Sequence, residues 1–105
     1  MSSRFLMKRT RVVHGVTDLV GDTPLVEVRR IARHIPKVSV HGKAEWYNPS
    51  GSVKDRPVLS ILRDAEERGV LTKDKTILDA TSGNAGASYA MLGSVLEYDV
   101  CLTIP

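Results

Sequence analysis

The sequence predicts an α/β fold in which short parallel strands alternate with helices as right-handed βαβ units. Three observations support this prediction. Apolar residues recur with helical spacing between residues 53 and 68, and short runs rich in β-branched and aliphatic residues lie on either side of that segment. A glycine-containing turn also precedes each predicted helix, and ligands bind at such positions in open parallel sheets.

The first part of the chain contains two predicted strands. Residues 16–20 lead into the turn signal Gly-Asp-Thr-Pro at residues 21–24, and a short strand follows at residues 25–28. Residues 29–36 are predicted as connecting structure. Residues 38–46 form the second strand, because β-branched residues and a near-alternation of apolar and polar side chains are typical of one.

The segment from residue 53 to residue 68 is predicted to be an amphipathic helix. Its apolar residues have the spacing i, i+3, i+4 and i+7, charged residues occupy the opposite face, and Gly69 can end the helix as its C′ residue. Predicted strands and helices alternate again in the rest of the chain. The predicted elements are a strand at 76–80, a loop at 81–86, a closely packed helix at 87–96 and a strand at 98–104.

Lys54 lies near the predicted start of that helix, within Asn-Pro-Ser-Gly-Ser-Val-Lys-Asp-Arg-Pro at residues 48–57. Ser52 is predicted to be the N-cap, and Asp55 completes an S-x-x-D capping box. The positive end of the helix dipole then disfavours the ammonium form of Lys54. Because only a neutral amine attacks an aldehyde, Lys54 is a candidate for Schiff-base chemistry. The alternative is a solvated lysine in an ordinary capped helix.

The loop Thr-Ser-Gly-Asn-Ala-Gly at residues 81–86 is a second candidate site, because it lies between a predicted strand and a predicted helix. Its glycines let the backbone approach a ligand, and its hydroxyl groups can donate hydrogen bonds. Free amides at a helix start, together with the helix dipole, favour the binding of an anion. The alternative is a tight turn that is capped by Ser82 or Asn84.

Three segments in this order resemble the cysteine synthase and cystathionine β-synthase family of fold type II pyridoxal-phosphate enzymes. The segments are residues 21–26, 43–57 and 80–86, and the resemblance runs from about residue 16 to residue 105. It implies a three-layer parallel-sheet βαβ architecture, similar to the tryptophan synthase β chain and incomplete here. Residues 1–15 are interpreted as a basic N-terminal arm, and residues 16–105 as the N-terminal part of a truncated catalytic domain.

The resemblance implies roles for individual residues. Lys54 is implied to be the catalytic residue, because it binds pyridoxal 5'-phosphate through its amine and then removes the α-proton of an amino-acid substrate. Asn84 is implied to hydrogen-bond the 3′-oxygen of the pyridoxal ring. The commoner family form has threonine in place of Ala85, so this chain lacks one hydroxyl there. The residues implied to bind the substrate α-carboxylate are Thr81, Ser82, Gly83 and Asn84.

The implied reaction is a β-replacement in which an activated serine, such as O-acetylserine or O-phosphoserine, reacts with a sulfur donor to give cysteine. This is transferase or lyase chemistry. One alternative is an enzyme like cystathionine β-synthase, whose nucleophile is homocysteine. Another is a non-catalytic remnant that binds a small anion or a protein partner. The resemblance also implies a homodimer of the full-length protein.

The matching segment contains neither of two parts that family members use, the loop that binds the cofactor phosphate and the residue that holds the pyridine nitrogen. We therefore expect residues 1–105 alone to bind the cofactor weakly and to have little or no turnover.

Charge and hydropathy argue against other classes of function. The net charge of +3 arises at the N-terminus, where the first 14 residues contain four basic residues and no acidic one, so nucleic-acid binding is not expected. No apolar run approaches the ~18 residues that a membrane-spanning helix needs. No metal site is expected either. The three histidines, which lack the spacing of metal ligands, are His14, His34 and His41.

Four further residues have predicted environments. Cys101 is the only cysteine, so an intrachain disulfide is impossible, and its apolar neighbours predict burial. A single cysteine fits a reducing compartment, which favours a cytoplasmic location. Trp46 and Tyr47 are predicted to pack against the helices, with a wall of the cofactor cleft as the alternative. Arg56 is predicted to form a surface or interdomain ion pair.

Overall fold

The structure, a computed structural model, describes residues 10–105, so most of the predicted basic arm at residues 1–15 lies outside the described residues. Two small sheets, two helices and two 3-10 turns make up the described part. The 3-10 turns are Val16–Leu19 and Glu45–Tyr47. The strands and helices are β1 (Leu25–Glu27), β2 (His41–Lys43), α1 (Asp55–Glu67), β3 (Thr76–Ala80), α2 (Asn84–Val95) and β4 (Asp99–Thr103).

Strands β3 and β4 form the parallel sheet that the sequence predicts. They pair in register from Thr76 opposite Asp99 to Ala80 opposite Thr103, and α2 connects them. Because adjacent parallel strands need a crossover connection, this is a βαβ unit. The predicted α/β class is therefore confirmed, and β3 has the predicted bounds.

The prediction for the second strand is wrong in length and in pairing. Strand β2 is three residues long and pairs antiparallel with β1, not with β3. The backbone N–H of Ala44 donates to the carbonyl of Pro24 at 2.8 Å, and the chain then enters the 3-10 turn. Trp46 and Tyr47 are each 64% exposed and contact each other, so the prediction that they pack against the helices is also wrong.

The core lies between the two helices and one face of the β3–β4 sheet. Its buried side chains are Val58, Leu62, Ile77, Tyr89, Leu92 and Tyr98. In β4, Val100 and Leu102 pack against this core, whereas Cys101 is exposed on the opposite face. The prediction that Cys101 is buried is therefore wrong, because strand alternation decides its environment and not the apolar character of its neighbours.

Both helices differ from the prediction at their starts. Helix α1 begins two residues later than predicted, at Asp55, and α2 begins three residues earlier, at Asn84. The predicted end of α1 is confirmed. Gly69 follows it with φ +68°, and the N–H of Val70 donates to the carbonyl of Ala65 at 2.9 Å.

No helix in residues 10–105 has both the length and the apolar character that crossing a membrane requires.

Gly93 lets α2 lie unusually close to β4. A Cβ atom placed on Gly93 would lie 2.2 Å from Cγ2 of Val100 and 3.7 Å from Cδ1 of Ile77. The branched side chain of Val100 is stiff about χ1 and has little freedom to move away. This contact agrees with the prediction that the second helix packs closely on its neighbours.

We expect Gly93→Ala to destabilise the chain. Alanine gains about 1 kcal/mol in helix propensity, but overpacking of this kind costs typically 1–3 kcal/mol and here forces Val100 aside. The separation of 2.2 Å favours the upper end of that cost, so a net loss of up to about 2 kcal/mol in the free energy of unfolding should appear in urea denaturation. The matched control is Gly42→Ala, because a Cβ on Gly42 meets no atom within 4 Å. Equal stability of Gly93→Ala and wild type would contradict this account.

Candidate functional site

Lys54 occupies the N-cap position of α1 and not its first turn. Its backbone has φ −64° and ψ −22°, and its carbonyl accepts the N–H of Val58 at 3.1 Å. Ser52 is not the N-cap. Its hydroxyl accepts the N–H of Lys54 at 3.2 Å, within a turn that precedes the helix. The side chain of Lys54 is exposed, and no residue in the range 10–105 forms a hydrogen bond or ion pair with its amine.

Asp55 does not complete a capping box, because its carboxylate points into the interior. The residue is 0% exposed. Its Oδ2 accepts the backbone N–H of Ser50 at 2.8 Å, and its Oδ1 accepts the hydroxyls of Ser50 and of Ser88, the latter at 2.6 Å. The predicted role of Asp55 as a cap is therefore wrong. Ser88 is 33 residues away in sequence, so no local pattern could indicate this partner.

Arg56 forms the predicted ion pair, and its partner is Glu45. The guanidinium Nε donates to Oε2 of Glu45 at 2.8 Å, and Nη2 donates to Oε1 at 3.0 Å and to the hydroxyl of Thr23 at 3.0 Å. The Thr23 hydroxyl in turn donates to Glu45 at 2.6 Å. Hydrogen bonds from Arg56, then from Thr23, lower the pKa of Glu45 from its ordinary value of 4.5 to about 2.

Thr23, Glu45 and Arg56 form a hydrogen-bonded group of side chains, the Glu45 cluster. Asn48 joins the Gly-Asp-Thr-Pro turn at residues 21–24 to this cluster. Its side chain accepts the N–H of Gly21 at 2.8 Å and donates to the carbonyl of Glu45 at 2.8 Å. Gly21 has φ +82°, and a Cβ there would lie 3.0 Å from Nη1 of Arg56. Only glycine fits such a position without strain. Hydrogen bonds thus join the motif segments at residues 21–26 and 43–57 into one unit.

The loop after β3 is shorter than predicted and comprises residues 81–83. The N–H of Thr81 donates to the carbonyl of Thr103 at 3.1 Å, which continues the sheet ladder. The N–H of Gly83 donates to the hydroxyl of Thr81 at 3.3 Å. Gly83 is the N-cap of α2, and no side chain in the described range caps this helix, so capping by Ser82 or Asn84 does not occur. The first N–H groups of a helix have no intrahelical partner and are available to a ligand.

The structure brings the two candidate segments to the same end of the molecule. The Asp55–Ser88 hydrogen bond sets the start of α1 beside the start of α2. Lys54 directly precedes Asp55, and Asn84 lies one helical turn before Ser88. The first N–H groups of α2 therefore lie just beyond the carboxyl end of β3, and the exposed Lys54 lies at a helix start that is hydrogen-bonded to α2. Such a site can bind an aldehyde covalently and a carboxylate by hydrogen bonds.

The histidines do not belong to this site. Among residues 10–105, no group of three or more His, Cys, Asp or Glu side chains has an arrangement that could hold a metal ion.

Comparison with known proteins gives consistent matches. A family model described as pyridoxal-phosphate dependent enzyme matches residues 16–105. A cysteine synthase from Aquifex aeolicus is 47% identical over 92 residues, which are 86% of this chain and 28% of that protein. A cystathionine β-synthase from Saccharomyces cerevisiae is 37% identical over 94 residues, which are 88% of this chain and 18% of that protein.

A solved structure agrees with these matches. O-acetyl serine sulfhydrylase isoform 3 from Entamoeba histolytica superposes with a TM-score of 0.85 and is 35% identical, with 90% of this chain and 29% of that chain covered. The chain spans less than a third of the length of each of these three relatives.

The low pKa of Glu45 predicts a specific pH dependence of stability. The unfolded carboxyl takes up a proton near pH 4.5, whereas the folded one does so only near pH 2. The contribution of ionised Glu45 to the free energy of unfolding is therefore fully present above about pH 4.5 and is lost as the pH falls towards 2. We expect Glu45→Gln to be less stable than wild type at pH 7, and the difference to shrink between pH 4.5 and pH 2.

Urea denaturation at pH 7, 5 and 3 measures this difference. Glu67→Gln is the control, because Glu67 is exposed and forms no ion pair in the described range. A constant difference between wild type and Glu45→Gln at all three pH values would show that the cluster does not depend on the charge of Glu45.

Proposed function

The chain belongs to the family of pyridoxal-phosphate dependent enzymes, and we propose that it supplies the catalytic lysine of a cysteine synthase-type enzyme. The membership confirms the resemblance that three sequence segments indicate, and pyridoxal phosphate is the cofactor of the family. The observation that carries the proposal is that Lys54 is exposed and directly precedes Asp55, whose carboxylate accepts the hydroxyl of Ser88 in the second turn of α2.

The residues at this end fit the cofactor in their chemistry. An exposed primary amine suits the aldehyde of pyridoxal phosphate, and the Asn84 amide can hydrogen-bond a ring oxygen. The N–H groups of the first turn of α2 and the hydroxyls of Thr81 and Ser82 suit a carboxylate. When bound, pyridoxal phosphate supplies an electron sink for negative charge at the substrate α-carbon.

The chain's own residues then have distinct tasks. Lys54 would hold the cofactor through its amine, and the same amine would serve as the general base that removes the α-proton of the substrate. Residues 81–84 hold the α-carboxylate, which fixes the α-carbon relative to that amine. Such fixed geometry is a large part of what an enzyme contributes to a proton transfer.

The proposed substrate is a serine whose hydroxyl is activated as an ester, and the proposed second substrate is a sulfur nucleophile that gives cysteine. The higher identity to the Aquifex aeolicus cysteine synthase, 47% against 37% for the yeast cystathionine β-synthase, supports this choice. A cystathionine β-synthase-like activity is the second candidate. Product analysis with sulfide and with homocysteine as competing nucleophiles distinguishes the two.

We also propose that the gene product that contains this chain forms a homodimer. The family resemblance supports this proposal, and the exposed side chains of Trp46 and Tyr47 are available to a protein surface. Light scattering of that gene product tests the oligomeric state. The cytoplasmic location stays a prediction.

We expect Lys54→Ala to abolish covalent attachment of the cofactor. The gene product that contains this chain is loaded with pyridoxal phosphate, reduced with borohydride and mapped by peptide mass spectrometry. Wild type should carry a pyridoxyl group on Lys54, and the variant should carry none and lose at least about 10²–10⁴-fold in activity. Lys37→Ala is the control, because Lys37 is an exposed lysine outside the three motif segments. An adduct on any other lysine in wild type would refute the assignment.

We expect Ala85→Thr to strengthen substrate binding, because it adds a hydroxyl beside the proposed carboxylate site. A hydrogen bond to a charged group contributes about 1.5–3 kcal/mol, so the KM for O-acetylserine should fall by about tenfold or more with kcat little changed. Ala87→Thr adds the same hydroxyl at an exposed position two residues further along α2 and should leave KM unchanged. The same KM for both variants would argue against carboxylate binding at this loop.

A further inference from the structure

The proposed chemistry gives no task to the Asp55 carboxylate, although Asp55 follows Lys54 directly. The residue is completely buried, and no cation in residues 10–105 pairs with it. An unpaired carboxylate is costly to bury, so its hydrogen-bond donors determine whether this arrangement is stable. Those donors are the N–H of Ser50 and the hydroxyls of Ser50 and Ser88.

Ser88 connects this carboxylate to the second candidate segment. It is the fifth residue of α2, is 0% exposed, and donates to Oδ1 of Asp55 at 2.6 Å. Within residues 10–105, this is the one side-chain hydrogen bond between α1 and α2. Because an α-helix is stiff over a single turn, a fixed position of Ser88 also fixes Asn84 and the end of the loop before it.

Ser50 connects the same carboxylate to the segment before Lys54. Its backbone N–H lies 2.8 Å from Oδ2 of Asp55, and its hydroxyl lies 3.3 Å from that of Ser88. The turn from residue 49 to residue 53 is therefore held at its start by Ser50 and at its end by the helix. Lys54 is the only residue between this turn and the buried carboxylate.

We propose that Asp55 and Ser88 are positioning residues, which hold the Lys54 amine at a fixed separation from the loop at residues 81–84. This inference rests on the proposed function, because the separation matters only if Lys54 and that loop act on the same substrate. Neither residue touches the substrate. Both act by setting where the amine and the carboxylate site lie relative to each other.

The main test uses Ser88→Ala, which removes one donor and leaves the two donors of Ser50 on Asp55. Ser94→Ala is the matched control, because Ser94 is an exposed serine on the same helix. The second variant is Asp55→Asn, which keeps an oxygen for Ser88 but turns an amide donor towards the N–H of Ser50.

The first readout needs no cofactor. Hydrogen–deuterium exchange of the gene product that contains this chain should become about tenfold faster or more in Ser88→Ala at Ala87, whose N–H donates to the carbonyl of Gly83 at 3.3 Å, and in Asp55→Asn at residues 50–54. Exchange in β3 and β4 should stay unchanged, which shows that each variant is folded.

The second readout uses the protein loaded with pyridoxal phosphate. We expect kcat of Ser88→Ala to fall about 10–100-fold while KM for O-acetylserine changes less than about threefold, because a misplaced amine slows proton removal more than binding. Ser94→Ala should match wild type in both readouts.

The outcomes separate the two proposals. If wild type carries no borohydride-reduced adduct on Lys54, the proposed function fails and the positioning role fails with it. If wild type carries the adduct but Ser88→Ala and Asp55→Asn match it in exchange and in kcat, the positioning role alone is overturned. Equal falls in kcat for Ser88→Ala and Ser94→Ala would also overturn it.

Discussion

The buried carboxylate of Asp55 is the constraint on which the rest of this end of the structure depends. A carboxylate that leaves water must find hydrogen-bond donors, and among residues 10–105 Ser50 and Ser88 supply them. Satisfying this one group brings together the turn before α1, the start of α1 and the second turn of α2. The relative position of the two helices then follows from polar contacts at their starts as well as from the apolar core between them.

Three consecutive side chains diverge at the start of α1, and each has a different environment. Lys54 extends into solvent, Asp55 into the interior towards α2, and Arg56 towards the 3-10 turn that contains Glu45. Successive residues of a helix point about 100° apart, so a single helix start can hold three separate polar partners. The hydrogen bonds of Arg56 with Glu45 and Thr23 attach the Gly-Asp-Thr-Pro turn to the start of α1. The hydrogen bond between Asp55 and Ser88 attaches α2 to it. Lys54 precedes both Asp55 and Arg56, and the contacts of these two residues fix the helix start at which it lies.

The sequence alone predicts those features that depend on residues close together in the chain. The bounds of β3, the end of α1 at Gly69 and the parallel β3–β4 pair are confirmed, and similarity to a solved O-acetyl serine sulfhydrylase confirms the fold class. Features that depend on distant partners were predicted wrongly. The capping box at Ser52 fails because Asp55 binds Ser88 instead, and Cys101 is exposed because only one face of its strand packs on α2. The roles of residues 81–84 stay predictions.

The exposed position of Trp46 has a practical consequence. It is the only tryptophan in the sequence, and the residue is 64% exposed next to Glu45. The tryptophan emission of the protein, excited at wavelengths that tyrosine does not absorb, therefore originates from one solvated indole next to Glu45. A blue shift of that emission on adding a subunit or a small molecule would report, in a single spectrum, that this corner of the molecule had become covered.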